Sequence, residues 1–214
     1  MDNVIHNSTA SPIERVFELR STRCTVPANI AVAKVSDPGV SRDALRHKCD
    51  QLLGKLARTM SADNAGPLTI MHISGGAPRL NRGEEVCDLR ASVAHSGPWV
   101  AVGLAGQGSI GVDIQVHDDR RRYREIAEFL DLDPDAMRDK RPFFSSWALR
   151  EAIAKATDES VLTPHILEPK LTAACQKHGR LVNAGNFSAF VDEISPGVHF
   201  AVVLHNKSEA PACA

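Results

Sequence analysis

The octapeptide SIGVDIQV, Ser109 to Val116, narrows what this chain can become more than any other stretch. Its residues alternate strictly. Ile110, Val112, Ile114 and Val116 fall on one side of an extended chain, and Ser109, Gly111, Asp113 and Gln115 on the other, because successive strand side chains point to opposite faces. The chain therefore needs a sheet with one apolar face. The second face carries a glycine that leaves room for a close neighbour, a lone carboxylate, and an amide where a second carboxylate would be natural. Solvent would make that carboxylate inexpensive, so Asp113 alone reads equally well as a surface residue and as a functional one.

The surrounding pattern is mixed. NIAVAKV (29–35), PLTIMHIS (67–74) and PWVAVGLA (98–105) read as strands, and ASVAHSG as extended. The short GQG between PWVAVGLA and SIGVDIQV predicts that these two form a β-hairpin. Residues 41–60 read as a helix, with Ser41 as N-cap and Leu45, Cys49, Leu52, Leu53 and Leu56 at helical spacing. GGAPRLN reads as a loop. HDDRRRYREIAEFL is helical in part, DLDPDAMRDKRP holds a turn, and FFSSWALREAIAKATDES is the strongest helix of the second half. NFSAFVDEI, SPG and VHFAVVLH predict a second hairpin, while the first twenty-odd residues and residues 164–174 show no clear pattern. The tail NKSEAPACA reads as frayed.

PWVAVGLA and VHFAVVLH echo one another, and each has a helix available as partner. The expectation is an α+β chain of two similar halves, 1–116 and 117–214, facing each other across a cleft.

Bulk properties exclude several classes. A formal net charge of −1 lacks the basic excess of a general nucleic-acid binder. No apolar run approaches the ~18 residues of a membrane span, and the polar start MDNVIHNSTASP lacks a signal-peptide core. Five scattered cysteines without CxxC spacing (Cys24, Cys49, Cys87, Cys175, Cys213) read as the reduced thiols of a cytoplasmic protein. Nine histidines include no HxH or HxxxH pair, which argues against a histidine metal site. Ser92, His95 and Ser96 sit close together, but without a G-x-S-x-G elbow they give a serine hydrolase little support.

Chemistry concentrates in FFSSWALREAIAKA. Phe143, Trp147, Glu151 and Lys155 recur every fourth residue and lie along one row of a helix, running from aromatic to acid to base. On an arbitrary helix this would be two core aromatics and a surface ion pair worth about 0.3–0.5 kcal/mol. Beside the Asp113 strand it gains a second reading. Asp113 and Glu151, with Lys155 one turn on, form a set that could hold Mg²⁺ against a phosphate, since Mg²⁺ takes one or two carboxylates, waters and phosphate oxygens.

At this point the chain resembles a family. GVDIQ, thirty-one intervening residues and WALREAIAKA are similar to the paired signature of the 4′-phosphopantetheinyl transferases, G-[IV]-D followed by W-x-x-K-E-x-x-x-K. SVAHSGPWVAVGLA resembles the segment preceding it in the large surfactin-type group, GGAPRL their G-K-P loop and QLLGKLAR their first-half helix. The resemblance runs from about residue 41 to 205, in the family's order.

The resemblance implies a pseudo-twofold α+β monomer that holds coenzyme A and Mg²⁺ between its halves. It would transfer the phosphopantetheine arm to a serine of an acyl or peptidyl carrier protein of polyketide, nonribosomal-peptide or fatty-acid synthesis. Asp113 and Glu151 would be metal ligands, joined by Gln115 through its carbonyl, and Glu151 the base for the carrier serine. Lys155 would bind the coenzyme A phosphates and assist the leaving group, His95 would contact the 3′-phosphate, and Trp147 would wedge the helix into the core. Three positions depart from the pattern: Gln115 for a glutamate, Ala94 for a serine whose hydroxyl could bond a phosphate, and Ala77 for the loop lysine, which leaves Arg79 as substitute cation. Arg150 keeps the charge of a lysine. These departures motivate two rival readings: an enzyme on the same fold acting on a carrier-bound acyl chain, and a catalytically silent carrier-binding protein. Arg120, Arg121, Arg122 and Arg124 offer an acidic carrier helix a contact, or form a solvated loop balanced by Asp118 and Asp119.

Overall fold

A computed structural model describes residues 5–11, 14–20, 27–36, 40–60, 67–74, 76–118, 123–129, 140–163, 171, 175 and 178–206. In chain order its elements are β1 (Ile5–Ser11), β2 (Glu14–Leu19), β3 (Ala28–Lys34), α1 (Arg42–Met60), β4 (Leu68–Met71), β5 (Arg79–Arg82), β6 (Glu85–Val86), β7 (Arg90–Ser96), β8 (Trp99–Ala105) and β9 (Ser109–Val116). These are followed by α2 (Tyr123–Phe129), α3 (Lys140–Thr157), β10 (Arg180–Ala184), β11 (Phe187–Ser195) and β12 (Val198–His205). The architecture is α+β, with three antiparallel sheets ordered β1-β2-β3-β8-β7, β10-β11-β12-β9 and β4-β5-β6.

The two larger sheets share one core. Phe17, Ile30 and Val32 of the first meet Ile110, Val112 and Ile114 of β9 and Phe190, Phe200 and Val202 beyond it. Each sheet then covers its other face with a helix. α1 lays Leu45, Leu52, Leu53 and Leu56 against Ala31, Val100 and Val102. α3 lays Ala148, Ala152, Ile153 and Ala156 against Ala189, Val191, Ala201 and Val203. α1 begins as its sequence requires, since the Ser41 hydroxyl accepts the Ala44 N–H at 3.1 Å. No helix among the described residues is long and apolar enough to cross a membrane.

Connectivity repeats between the sheets. β3 is followed by α1 and the β7–β8 hairpin, and β8 pairs with β3. β9 is followed by α3 and the β11–β12 hairpin, and β12 pairs with β9.

Several expectations need correction. β8 and β9 form no hairpin: β8 pairs with β3 and β7, β9 with β12. Gly108, at φ 68° and with no room for a side chain beside the His205 carbonyl, instead turns the chain from one sheet into the other. β9, although it closes the 1–116 segment, therefore belongs to the second large sheet. GGAPRLN is a loop only at its start, because Arg79–Arg82 pairs with β4 and buries Leu80 completely. β1, β2 and β10 had no readable signal, whereas the β11–β12 hairpin forms as expected, with Gly197 at φ 74°. DLDPDAMRDKRP, read as holding a turn, lies outside the described residues up to 139 and opens α3 from Lys140, and the tail from 207, Cys24 and Cys213 also lie outside them. Cys49, Cys87 and Cys175 are free thiols, and burial pushes Cys49 up to about 12 and Cys175 to about 11.

Candidate functional site

Both faces of β9 are buried, so the polar face is not solvated as its pattern allowed. Asp113 is 2% exposed and Gln115 5%. Their cover is α3, brought in at Gly111: a Cβ there would lie 1.8 Å from the Ala152 carbonyl oxygen. Only a residue without a side chain permits that approach, and the approach sets Glu151 and Lys155 over the strand.

The Lys155 ammonium donates to Asp113 Oδ1 at 2.8 Å and to the Val112 carbonyl at 3.0 Å. Asp113 Oδ2 accepts from the Gln115 amide at 2.7 Å. Gln115 thus orients Asp113 through its nitrogen end. Glu151 stands beside Asp113, close enough to feel its charge. Burial, then the Asp113 charge, push its carboxyl up to about 7, against opposing pulls from Lys155 and from the Trp147 indole. Trp147 Nε1 itself falls short of hydrogen-bond geometry, so its pull on Glu151 is dipolar. Its ring stacks on Phe143 and packs against the small aromatic cluster that also holds Phe144 and Tyr123.

A cleft opens from this cluster. One cavity, about 540 Å³, is lined by Glu151, Lys155, Ser92, Val93, Val161 and the 76–78 turn. A second, about 650 Å³, shares Lys155, Asp158 and that turn and continues past Arg79, Arg90, Leu89 and Ser109. Arg79 thus lines this second cavity and not the first. Arg90 was not anticipated from sequence, having only its place before an extended segment to mark it.

Other expected residues lie elsewhere. His95 is exposed on β7 and lines neither cavity. Ala94 faces β9, not the cleft. On that side of β7 the Ser92 hydroxyl accepts the Val112 N–H and the Ser96 hydroxyl the Val116 N–H, both at 3.0 Å. Ala94 occupies the intermediate place, 6% exposed within the core. A serine there would meet β9 and not a phosphate. Arg150 is structural: it donates to the carbonyls of Val161 and, at 2.6 Å, Thr163, pinning the chain after α3. Residues 119–122, with Arg120, Arg121 and Arg122, lie outside the described residues, as do 164–170 and the side chain of Arg124.

A separate polar group escaped the sequence because its members are far apart in the chain. His199, fully buried, bonds Ser145 Oγ at 2.8 Å and His117 Nε2 at 2.7 Å. A 2.7 Å contact between two imidazole nitrogens holds one proton, and burial followed by His117 lowers His199 to about 4. Among the described residues no three His, Cys, Asp or Glu side chains converge as a metal cluster.

No family model matches the chain, and no curated protein matches it.

Proposed function

We propose that this protein is a Mg²⁺-dependent 4′-phosphopantetheinyl transferase, moving the phosphopantetheine arm of coenzyme A onto a serine of an acyl or peptidyl carrier protein. One observation carries the reading. Asp113 from β9 and Glu151 from α3, thirty-eight residues apart in sequence, stand together beside Lys155 at the end of a cleft lined by Arg79 and Arg90. The repeated strand–helix–hairpin connectivity of the two large sheets supports the pseudo-twofold arrangement that the resemblance implies, with the units meeting at 106–108.

The donor set suits Mg²⁺. Asp113 and Glu151 supply hard carboxylate oxygens and Gln115 an amide, two carboxylates being the number that leaves room for waters and phosphates. Two close carboxyl groups beside one lysine can carry more negative charge than the lysine offsets, and a cation would balance it. Asp113 and Glu151 would hold the ion, with Gln115 fixing Asp113 in place. The ion would neutralise charge on the diphosphate.

The remaining work belongs to the chain. Glu151, with a pKa near 7, is tuned to accept the proton of the carrier serine at neutral pH. The serine oxygen forms the new P–O bond as the bond to 3′,5′-ADP breaks. Lys155 lies where it can offset charge on that leaving group, and Arg79 and Arg90 bind its phosphates.

The test is incubation with apo carrier protein, coenzyme A and Mg²⁺, read by intact mass. A gain of one phosphopantetheine arm is expected, lost in Asp113→Ala and Glu151→Ala. No gain with any carrier tried, while holo carrier still binds, overturns the reading. Turnover of a carrier-bound acyl chain would then favour the repurposed enzyme, and its absence the silent binder.

A further inference from the structure

α3 ends on a residue that the proposed chemistry does not use. Asp158, at φ 60°, is the one non-glycine residue with positive φ among the described residues. It stands just past the last turn, where the Glu159 N–H closes the helix on the Ala154 carbonyl at 3.1 Å. That position usually takes glycine, because a Cβ is strained in the left-handed region. A strained residue at a cleft points to a use for its side chain. Asp158 lines both cavities and sits where they meet, beside Lys155 and across from the 76–78 turn. Among the described residues no side chain donates to its carboxylate.

A carboxylate at this junction repels phosphate, so the phosphates of a ligand spanning both cavities must lie to either side. The cations are placed accordingly, with Arg79 and Arg90 along the larger cavity and Lys155, which lines both, beside Glu151 at the smaller. The ligand group between them must be uncharged and able to donate a hydrogen bond. A sugar hydroxyl between two phosphate-bearing positions meets both demands.

We propose that Asp158 is a specificity-determining residue whose carboxylate accepts a hydrogen bond from the ribose 2′-hydroxyl of a nucleotide ligand carrying phosphates on both sides of that sugar. This rests on the reading of coenzyme A as the ligand, since its ribose lies between a 3′-phosphate and a diphosphate. The ribose end of the ligand then occupies the junction, and the cleft rejects ligands phosphorylated at the 2′ position.

Calorimetric titration of the full chain with coenzyme A and with its 2′-deoxyribose analogue, both with Mg²⁺, tests this. A hydrogen bond to a charged acceptor corresponds to a loss of roughly tenfold or more in affinity, so the wild type is expected to bind the deoxy analogue at least about tenfold more weakly. Asp158→Gly and Asp158→Ala, which lack any acceptor there, should bind the two ligands about equally. Wild type that binds both alike, or variants that keep the gap, overturn the proposal while leaving the transferase reading intact. Wild type that binds neither ligand overturns both. An Asp158→Gly variant whose Tm rises with its discrimination unchanged marks Asp158 as a helix cap alone, and that also overturns the proposal.

Discussion

Gly111 and Ala152 meet backbone to backbone: the Ala152 carbonyl oxygen lies 1.8 Å from where a Cβ on Gly111 would stand. The obstacle is a helix backbone, which cannot rotate aside as a side chain could. Gly111→Ala is therefore expected to push α3 off β9 at a cost of about 3 kcal/mol or more, and to separate Lys155 from Asp113 as it does so. Urea denaturation measures the first effect. A variant within about 0.5 kcal/mol of wild type would contradict the close approach.

Lys155 is the partner of a carboxylate that is 3% exposed. Lys155→Met leaves Asp113 buried without its cation, at an expected cost of about 2–4 kcal/mol. The double variant Asp113→Asn/Lys155→Met should be less destabilised than the two single changes added together, with a coupling of about 1–3 kcal/mol. Additive losses in that cycle would mean the pair is not formed.

Glu151 gives a pH dependence whose sign is set by its raised pKa. The unfolded chain releases this proton near 4.5, the folded one near 7. Its contribution to stability is complete below 4.5 and is lost as pH rises to about 7. Glu151→Gln should remove that slope and gain stability relative to wild type at pH 8. Transfer runs the opposite way, rising towards pH 7 as the base loses its proton, and thermal melts at fixed pH steps beside rate measurements separate the two.

His199 acts at the acid end. Its folded pKa of about 4 lies below the ordinary 6.5, so stability is lost as pH falls from 6.5 towards 4, where the unfolded chain takes up a proton that the folded chain refuses. His199→Asn should be less stable at pH 7, through loss of its bonds to Ser145 and His117, yet show a flatter acid limb. An unchanged acid limb in that variant would falsify the assignment to His199.

Ala94→Ser separates a structural from a ligand-binding role at this position. By the spacing of Ser92 to Val112 and Ser96 to Val116, the new hydroxyl would face the Ile114 N–H. Stability should hold or rise by up to about 1 kcal/mol, with coenzyme A affinity unchanged. A tenfold gain in affinity would return the position to the phosphate site.

Much of this was legible in the chain because local rules and tertiary structure agree where they were read. The Ser41 cap, the leucine spacing of α1 and the strict alternation of β9 all predicted what formed. The Gly111–Asp113 and Glu151–Lys155 stretches could be matched because each lies within one element. Partner choice was less accessible. GQG reads as a hairpin turn, but whether β9 pairs with β8 or with β12 depends on residues ninety positions away. For the same reason the alternation of β9 could not reveal that its polar face is buried: a strand's period fixes what shares a face, and the burial comes from whichever helix arrives. Arg90, Asp158 and the Ser145–His199–His117 chain lay hidden likewise, since only the fold brings them to their places.

The seam between the two large sheets has a further consequence. β7 and β9 are the inner edges of those sheets, and an open edge offers unpaired N–H and C=O groups to any passing strand. Here the Ser92 and Ser96 hydroxyls occupy two of the outward N–H groups of β9, those of Val112 and Val116, so that edge is blunted without a continuous ladder. Two hydroxyls thus do what a charged residue or a proline does on other edge strands. Replacing both with alanine would free those N–H groups to recruit copies of the chain into cross-chain strands.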